Sequence, residues 1–246
     1  MSSPRRFEVP FDPEYFTRLA AAEGPRPLPA VFRQILETNH WTAPSASGLG
    51  SNPEQTAGLR LALPDLCRRF GIRTILDLPC GDGAWMAGVE WPAGTRYLGA
   101  DVLPELVAGC QARYETPERR YLTLDVTESV LPEADLLFCR DCLVHLSFAD
   151  IRKALARIQA GRITYLMTTT FPTEPANVDI ATGDWRPLNF ERAPFGFPPP
   201  IEAVLEACTE HDGIFADKSM GLWRVANLPA IAAPSAVDSM PSSSIC

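Results

Sequence analysis

Lysine is nearly missing from this chain. Of 22 basic residues only Lys153 and Lys218 are lysine, against 30 acidic residues and a net charge of −8. The arginines gather no further than pairs such as Arg5-Arg6, Arg68-Arg69 and Arg119-Arg120. A nucleic-acid footprint needs a contiguous positive surface, so no nucleic-acid partner is expected. We read the Arg/Ala/Pro bias as the coding composition of a GC-rich bacterial genome.

Long apolar runs are also lacking. No stretch approaches the ~20 consecutive apolar residues of a membrane-spanning helix, so no membrane partner is expected. Residues Met1 to Phe7 carry charge with no apolar core after them, unlike a secretory signal. The seven cysteines are odd in number and mostly lie inside apolar runs, as free thiols of a reducing cytoplasm would. Cys139 and Cys142 have metal-like or redox-like spacing, but no nearby Cys/His pair completes a zinc site, so no metal is expected and core packing explains them better.

What the chain does have is apolar content. Its 246 residues are 46% hydrophobic, enough for one domain with a sizeable core. The organising stretch runs from Arg73 to Trp85. An apolar run ends in Asp77, passes Leu78, Pro79 and Cys80, turns through Gly81-Asp82-Gly83, and can then start a helix. Such a strand–turn–helix brings a bare backbone and a helix N-terminus to the carboxyl edge of a sheet. A dinucleotide fingerprint would need a small residue where Met86 stands, and a pyrophosphate gains nothing from two flanking carboxylates. A cationic ligand does gain.

Two further acids follow the same rule. Tyr97 to Val102 reads as a second strand ending in Asp101, 24 residues beyond Asp77, the spacing at which an adjacent parallel strand delivers a carboxylate to a ribose diol. Arg120 to Leu124 reads as a third, ending at Asp125 and Val126, an acid for an adenine amino group and an apolar cover for its ring. Three consecutive strands ending in Asp at one edge point to a nucleoside cofactor.

Residues from about 47 to 225 resemble a class I S-adenosylmethionine-dependent methyltransferase. Asp77-x-x-x-Gly81-x-Gly83 is similar to the first motif of that family, Asp101 to its ribose acid and Asp125 to its adenine-side acid. Ser47-Gly48-x-Gly50-Ser51, Cys139 to Ser147 and Trp185 to Asn189 resemble segments of one bacterial subgroup with unassigned substrates. The resemblance implies an α/β fold, a Rossmann-like three-layer sandwich with a mostly parallel seven-stranded sheet and an antiparallel edge hairpin. It implies S-adenosylmethionine as cofactor, held by Asp77, Pro79, Cys80, Gly81, Asp82, Gly83, Asp101, Val102, Asp125, Val126 and Arg140.

The pattern divides the chain into an N-terminal cap or lid (1–52), a methyltransferase domain (53–228) and a tail (229–246) expected to be disordered. Alternating strands and helices imply parallel crossovers, with Gly213–Ala216 and Gly221–Val225 as the hairpin. If a helical turn begins after the fourth strand, Asp141 and His145 are i and i+4 on one face, an acid–imidazole pair able to serve as a base. The alternative is a helix cap and a packed histidine. The long segment from Phe171 to Pro200 combines aromatics with Asn and Arg, as a small-molecule pocket does. Its Phe171, Trp185, Arg186, Asn189 and Phe195, with Trp41 and Ser51 from the lid, are the expected substrate wall; pinning of the loop to the core is the competing reading. The expected activity is methyl transfer to O or N of a small metabolite; a peptide side chain as acceptor, or a non-catalytic cofactor-binding module, are the alternatives.

Overall fold

The computed structural model describes residues 12–43 and 45–231, without the His211 side chain. The expected tail therefore lies almost wholly outside the described residues, as does the start of the cap. Strands β1 (Thr74–Asp77), β2 (Arg96–Asp101), β3 (Arg119–Thr123), β4 (Ala134–Cys139), β5 (Ile163–Thr170), β6 (Glu202–Leu205) and β7 (Ser219–Arg224) form one sheet in the order β3-β2-β1-β4-β5-β7-β6. The first five pair in parallel, and β7 runs antiparallel to both β5 and β6. This is the α/β, Rossmann-like architecture expected from the sequence.

Helices cover both sheet faces because the strands are apolar on both. Along β4, Leu136 and Phe138 join a core with Leu59, Leu63 and Leu66 of α3 (Pro53–Phe70) and Val107 of α5 (Pro104–Tyr114). Leu137 and Cys139 join the opposite core with Ile151 and Leu155 of α6 (Phe148–Ala160). Pro53 starts α3 and Gly71, in the left-handed region at φ 66°, ends it. The short α4 (Ala84–Ala87) follows the glycine turn. Ahead of the sheet lie α1 (Tyr15–Glu23) and α2 (Leu28–Thr38), which build a small core of their own from Phe16, Val31 and Ile35.

The edge hairpin uses a different first strand from the one expected. Residues 210–213 form a 3-10 turn, and β6 pairs with β7 from Glu202–Leu205 instead. Gly213, which heads the expected strand, has a φ of 76°, outside the extended region, and residues 214–217 form a turn.

Register places the acids. Asp77 ends β1 opposite Gly99 of β2 and Phe138 of β4, and Asp101 ends β2 opposite Thr123. Both therefore reach the same carboxyl edge.

Candidate functional site

Gly81 and Gly83 turn the chain with φ of 56° and 67°, a region open to glycine at little strain. A Cβ on Gly83 would stand 3.1 Å from the Cys110 sulfur on α5, and one on Gly81 would collide with the Ser47 hydroxyl. The lid loop thus lies directly on the glycine turn. Ser45 Oγ donates to Asp82 Oδ2 (2.7 Å), and the Asp82 amide donates to Ser47 Oγ (2.9 Å).

Beside this turn two carboxylates are buried. Asp101 accepts from the amides of Gly81 (3.1 Å) and Leu103 (3.0 Å). Asp77 accepts from the Tyr97 hydroxyl at 2.5 Å. Burial pushes the Asp77 carboxyl up to about 7 and that of Asp101 up to about 6.

A cleft of about 960 Å³, its open mouth included, lies over this edge. Asp77, Pro79, Cys80, Gly81 and Asp101 line it, with Val102, Leu124 and Val126 on the β2–β3 side. Leu28, Phe32, Ile35 and Leu36 of α2, with Trp41, Ser47 and Ser51, supply another wall; Arg140 and Asp141 stand after β4. A lid over 1–52 was expected, but none of these α2 residues was named in it. The apolar spacing of α2 was readable, but a helix stripe does not say which surface it will cover.

Several expected residues stand elsewhere. Asp82 and Gly83 serve the turn rather than the lining. Asp125 turns to its own chain, accepting the Thr127 amide (2.8 Å) and hydroxyl (2.6 Å), and is outside the lining although Leu124 and Val126 are in it. Arg140 lines the cleft with its nitrogens committed. Nε and Nη2 bond Glu206 Oε2 (2.9 and 2.6 Å), Nη2 also donates to the Gly50 carbonyl (2.8 Å), and Nη1 pairs with Asp141 at 3.2 Å.

The expected Asp141–His145 pair does not form as drawn. Asp141 has φ +50°, no helix starts there, and a 3-10 turn spans only Leu143–His145. Asp141 instead bonds Lys218 Nζ at 2.7 Å. Burial opposes ionisation, but Lys218 and Arg140 prevail and hold this carboxyl well below the usual range. Glu206, Arg140, Asp141 and Lys218 make one buried cluster, in which Glu206 Oε1 has no hydrogen-bond partner. His145 is buried outside the lining, its Nδ1 3.0 Å from the Asp184 carbonyl and its ring 4.9 Å from that of Trp41. Burial lowers its pKa to about 4. Among the described residues no three His, Cys, Asp or Glu side chains are grouped to hold a metal ion.

The 171–200 segment follows the competing reading, in which it is pinned to the core. Phe171, Trp185, Arg186, Asn189 and Phe195 are all absent from the cleft lining. Trp185 packs edge-on against Phe171 and Phe215. Phe195 packs against Phe148 and Phe190. Arg186 donates to the carbonyls of Leu143 (3.0 Å), Val144 (2.7 Å) and Leu146 (2.6 Å), and Asn189 to those of Pro172 and Glu174 (3.0 Å each). A buried irregular segment must satisfy its backbone groups, and these side chains do that. Of the expected wall, Trp41 and Ser51 do face the cleft.

The strand order, the glycine turn and its flanking acids define a class I methyltransferase fold. Residues 75–161 match a family model described as a methyltransferase domain. That match runs from β1 to just past the end of α6 and so takes in the glycine turn, Asp77 and Asp101. No curated protein sequence matches it. Among solved structures it is similar to human N-acetylserotonin methyltransferase in complex with S-adenosylmethionine, at 14% identity over 71% of this chain and 53% of that one, TM-score 0.47. It is also similar to the N-methyltransferase NodS from Bradyrhizobium japonicum WM9, at 18% identity over 57% and 73% of the two chains, TM-score 0.43. An amino pentose methyltransferase from Micromonospora echinaspora aligns at 20% identity over 48% and 51%, TM-score 0.39. The chain thus spans between about half and three quarters of the length of these structures. Among the described residues no helix is long and apolar enough to cross a membrane.

Proposed function

We propose that the chain transfers a methyl group from S-adenosylmethionine to an oxygen or nitrogen of a small metabolite. One observation carries the reading. Two carboxylates, each bonded only to neutral donors, are buried in a cleft that α2 and Trp41 wall off. When bound, the cofactor supplies an electrophilic methyl group on a sulfonium.

The residues present fit that group. Asp101, oriented by two backbone amides, would accept the ribose hydroxyls, and Asp77 would face the cofactor's positive charge. Val102, Leu124 and Val126 would cover the base. Asp141, kept ionised by Lys218, would accept a hydrogen bond from the acceptor's O–H or N–H and so aim a lone pair at the methyl. In-line displacement depends chiefly on such alignment and on excluding water. Residues 12–52 would act as the lid that excludes it, over a methyltransferase domain running to about residue 228. A peptide acceptor would favour an open groove, and the walls formed by α2 and Trp41 favour a small acceptor instead. The six described cysteines are all buried free thiols, in keeping with a reducing cytoplasm.

Calorimetric titration with S-adenosylmethionine tests the reading. Saturable binding is expected, weakened about 100-fold by Asp101→Ala, which removes charge-assisted bonds to the diol. A wild type that does not bind would end it.

A further inference from the structure

Residues 182–186 join three parts of the molecule. Asp184 accepts the amides of Phe16 (2.9 Å) and Thr17 (2.9 Å) and the Thr17 hydroxyl (2.6 Å), satisfying donors left open at the start of α1. Gly183, at φ +114°, lies so close to the lid that a Cβ would stand 2.5 Å from the Phe16 ring and 2.8 Å from Val31. The Gly183 amide donates to the His145 carbonyl (2.8 Å), and Arg186 holds three carbonyls of the same turn. This loop fixes the lid on one side and the His145 turn on the other.

His145 is where that assembly meets the cleft. The Asp184 carbonyl can only accept, so the bond at 3.0 Å places the imidazole proton on Nδ1 and fixes the ring plane. The ring lies against Trp41 with centroids 4.9 Å apart at 33°. Phe32 packs edge-on against the indole at 6.5 Å, and a Cβ on Gly48 would stand 3.5 Å from it. The indole is held from several sides and lines the cleft, whereas His145 stands behind it.

We infer that His145 is a positioning residue: its imidazole sets the Trp41 indole as a wall of the cleft, while loop 182–186 seats both the imidazole and the lid. The inference rests on the methyltransferase reading for its purpose, but its geometry can be tested without cofactor. A base would need its nitrogen, whereas a positioning ring needs its face.

The Trp41 share of the emission is the difference between a protein and its Trp41→Phe partner. Acrylamide quenching of that share is compared in wild type, in His145→Phe, which keeps a ring, and in His145→Asn, which keeps a donor for Asp184 but loses the ring. Quenching is expected to stay near wild type in His145→Phe and to rise in His145→Asn. Affinity for S-adenosylmethionine is expected to fall about tenfold in His145→Asn and to stay within about twofold in His145→Phe. Trp41→Ala should reproduce the loss, and combining it with His145→Asn should add nothing. Gly183→Ala, with His145 intact, should also raise Trp41 quenching by displacing α1 and α2, which keeps the test decisive should a His145 variant fail to fold. Unchanged quenching in His145→Asn and Gly183→Ala, or additive losses, would overturn the inference. A wild type that does not bind the cofactor but shows this quenching pattern would instead overturn the functional reading and leave the positioning role standing.

Discussion

The cleft has two charged ends, and they are built in opposite ways. At the glycine turn, Asp77 and Asp101 are bonded to a tyrosine hydroxyl and to backbone amides, and among the described residues neither forms an ion pair. After β4, Asp141 and Glu206 are matched by Arg140 and Lys218 within the protein itself. Burial raises the pKa of the first two carboxyls and of Glu206, whereas Lys218 and Arg140 overcome burial at Asp141 and lower its pKa. An unneutralised buried pair suits an incoming cation, while a neutralised cluster suits a fixed frame.

The frame should show the larger effect when broken. Lys218→Met would leave Arg140 alone between the buried Glu206 and the partly exposed Asp141, and an uncompensated buried charge costs about 3–5 kcal/mol. A fall of roughly 10 °C in Tm is expected for a chain of this size. The double variant Lys218→Met/Glu206→Gln returns the cluster to one cation and one anion and should recover part of that loss. Thermal unfolding by circular dichroism decides the matter: a double variant no more stable than the single would refute the account of a closed frame.

The unpaired end should respond to pH. With Asp77 at about 7 and Asp101 at about 6, the cofactor-free protein retains part of its carboxyl protons near neutrality. Raised folded-state values mean that these groups destabilise the empty fold at pH 7, an effect relieved as pH falls through about 7 and then about 6. A cation settling beside Asp77 favours the ionised form, so binding should release protons. Affinity for S-adenosylmethionine should then fall by up to about tenfold from pH 7.5 to 6, as the ionised fraction of a group at about 7 does. Calorimetry in buffers of different ionisation enthalpy reads the proton count directly. Asp77→Asn should flatten the trend; an unchanged slope would assign it to another group.

Comparing the two ends also shows what the sequence could reveal. Acids closing apolar runs at parallel strand ends are readable, because strand period and the crossover rule together place them on one edge. Asp77 and Asp101 followed that logic. The frame was not readable, since Glu206 and Lys218 lie 66 and 77 residues from their partners. Asp141 was misread because i and i+4 spacing assumes a helix, whereas its positive φ aims its amide at the Thr169 hydroxyl (2.8 Å). The aromatic loop was open to two readings for another reason. Trp185, Arg186 and Asn189 give the same composition whether they face a ligand or satisfy a buried backbone.

Asp125 gives the smallest and sharpest contrast with Asp101. Both end neighbouring strands, and sequence reasoning gave them parallel tasks. Asp101 lines the cleft, while Asp125 spends one oxygen on Thr127 and lies outside the lining. Asparagine keeps that acceptor oxygen and removes only the charge. Asp125→Asn should therefore shift affinity for S-adenosylmethionine by no more than about threefold, under 1 kcal/mol. The titration that reads Asp101→Ala reads this as well. A loss comparable to that of Asp101→Ala would mean that Asp125 turns from Thr127 towards the adenine when the cofactor enters.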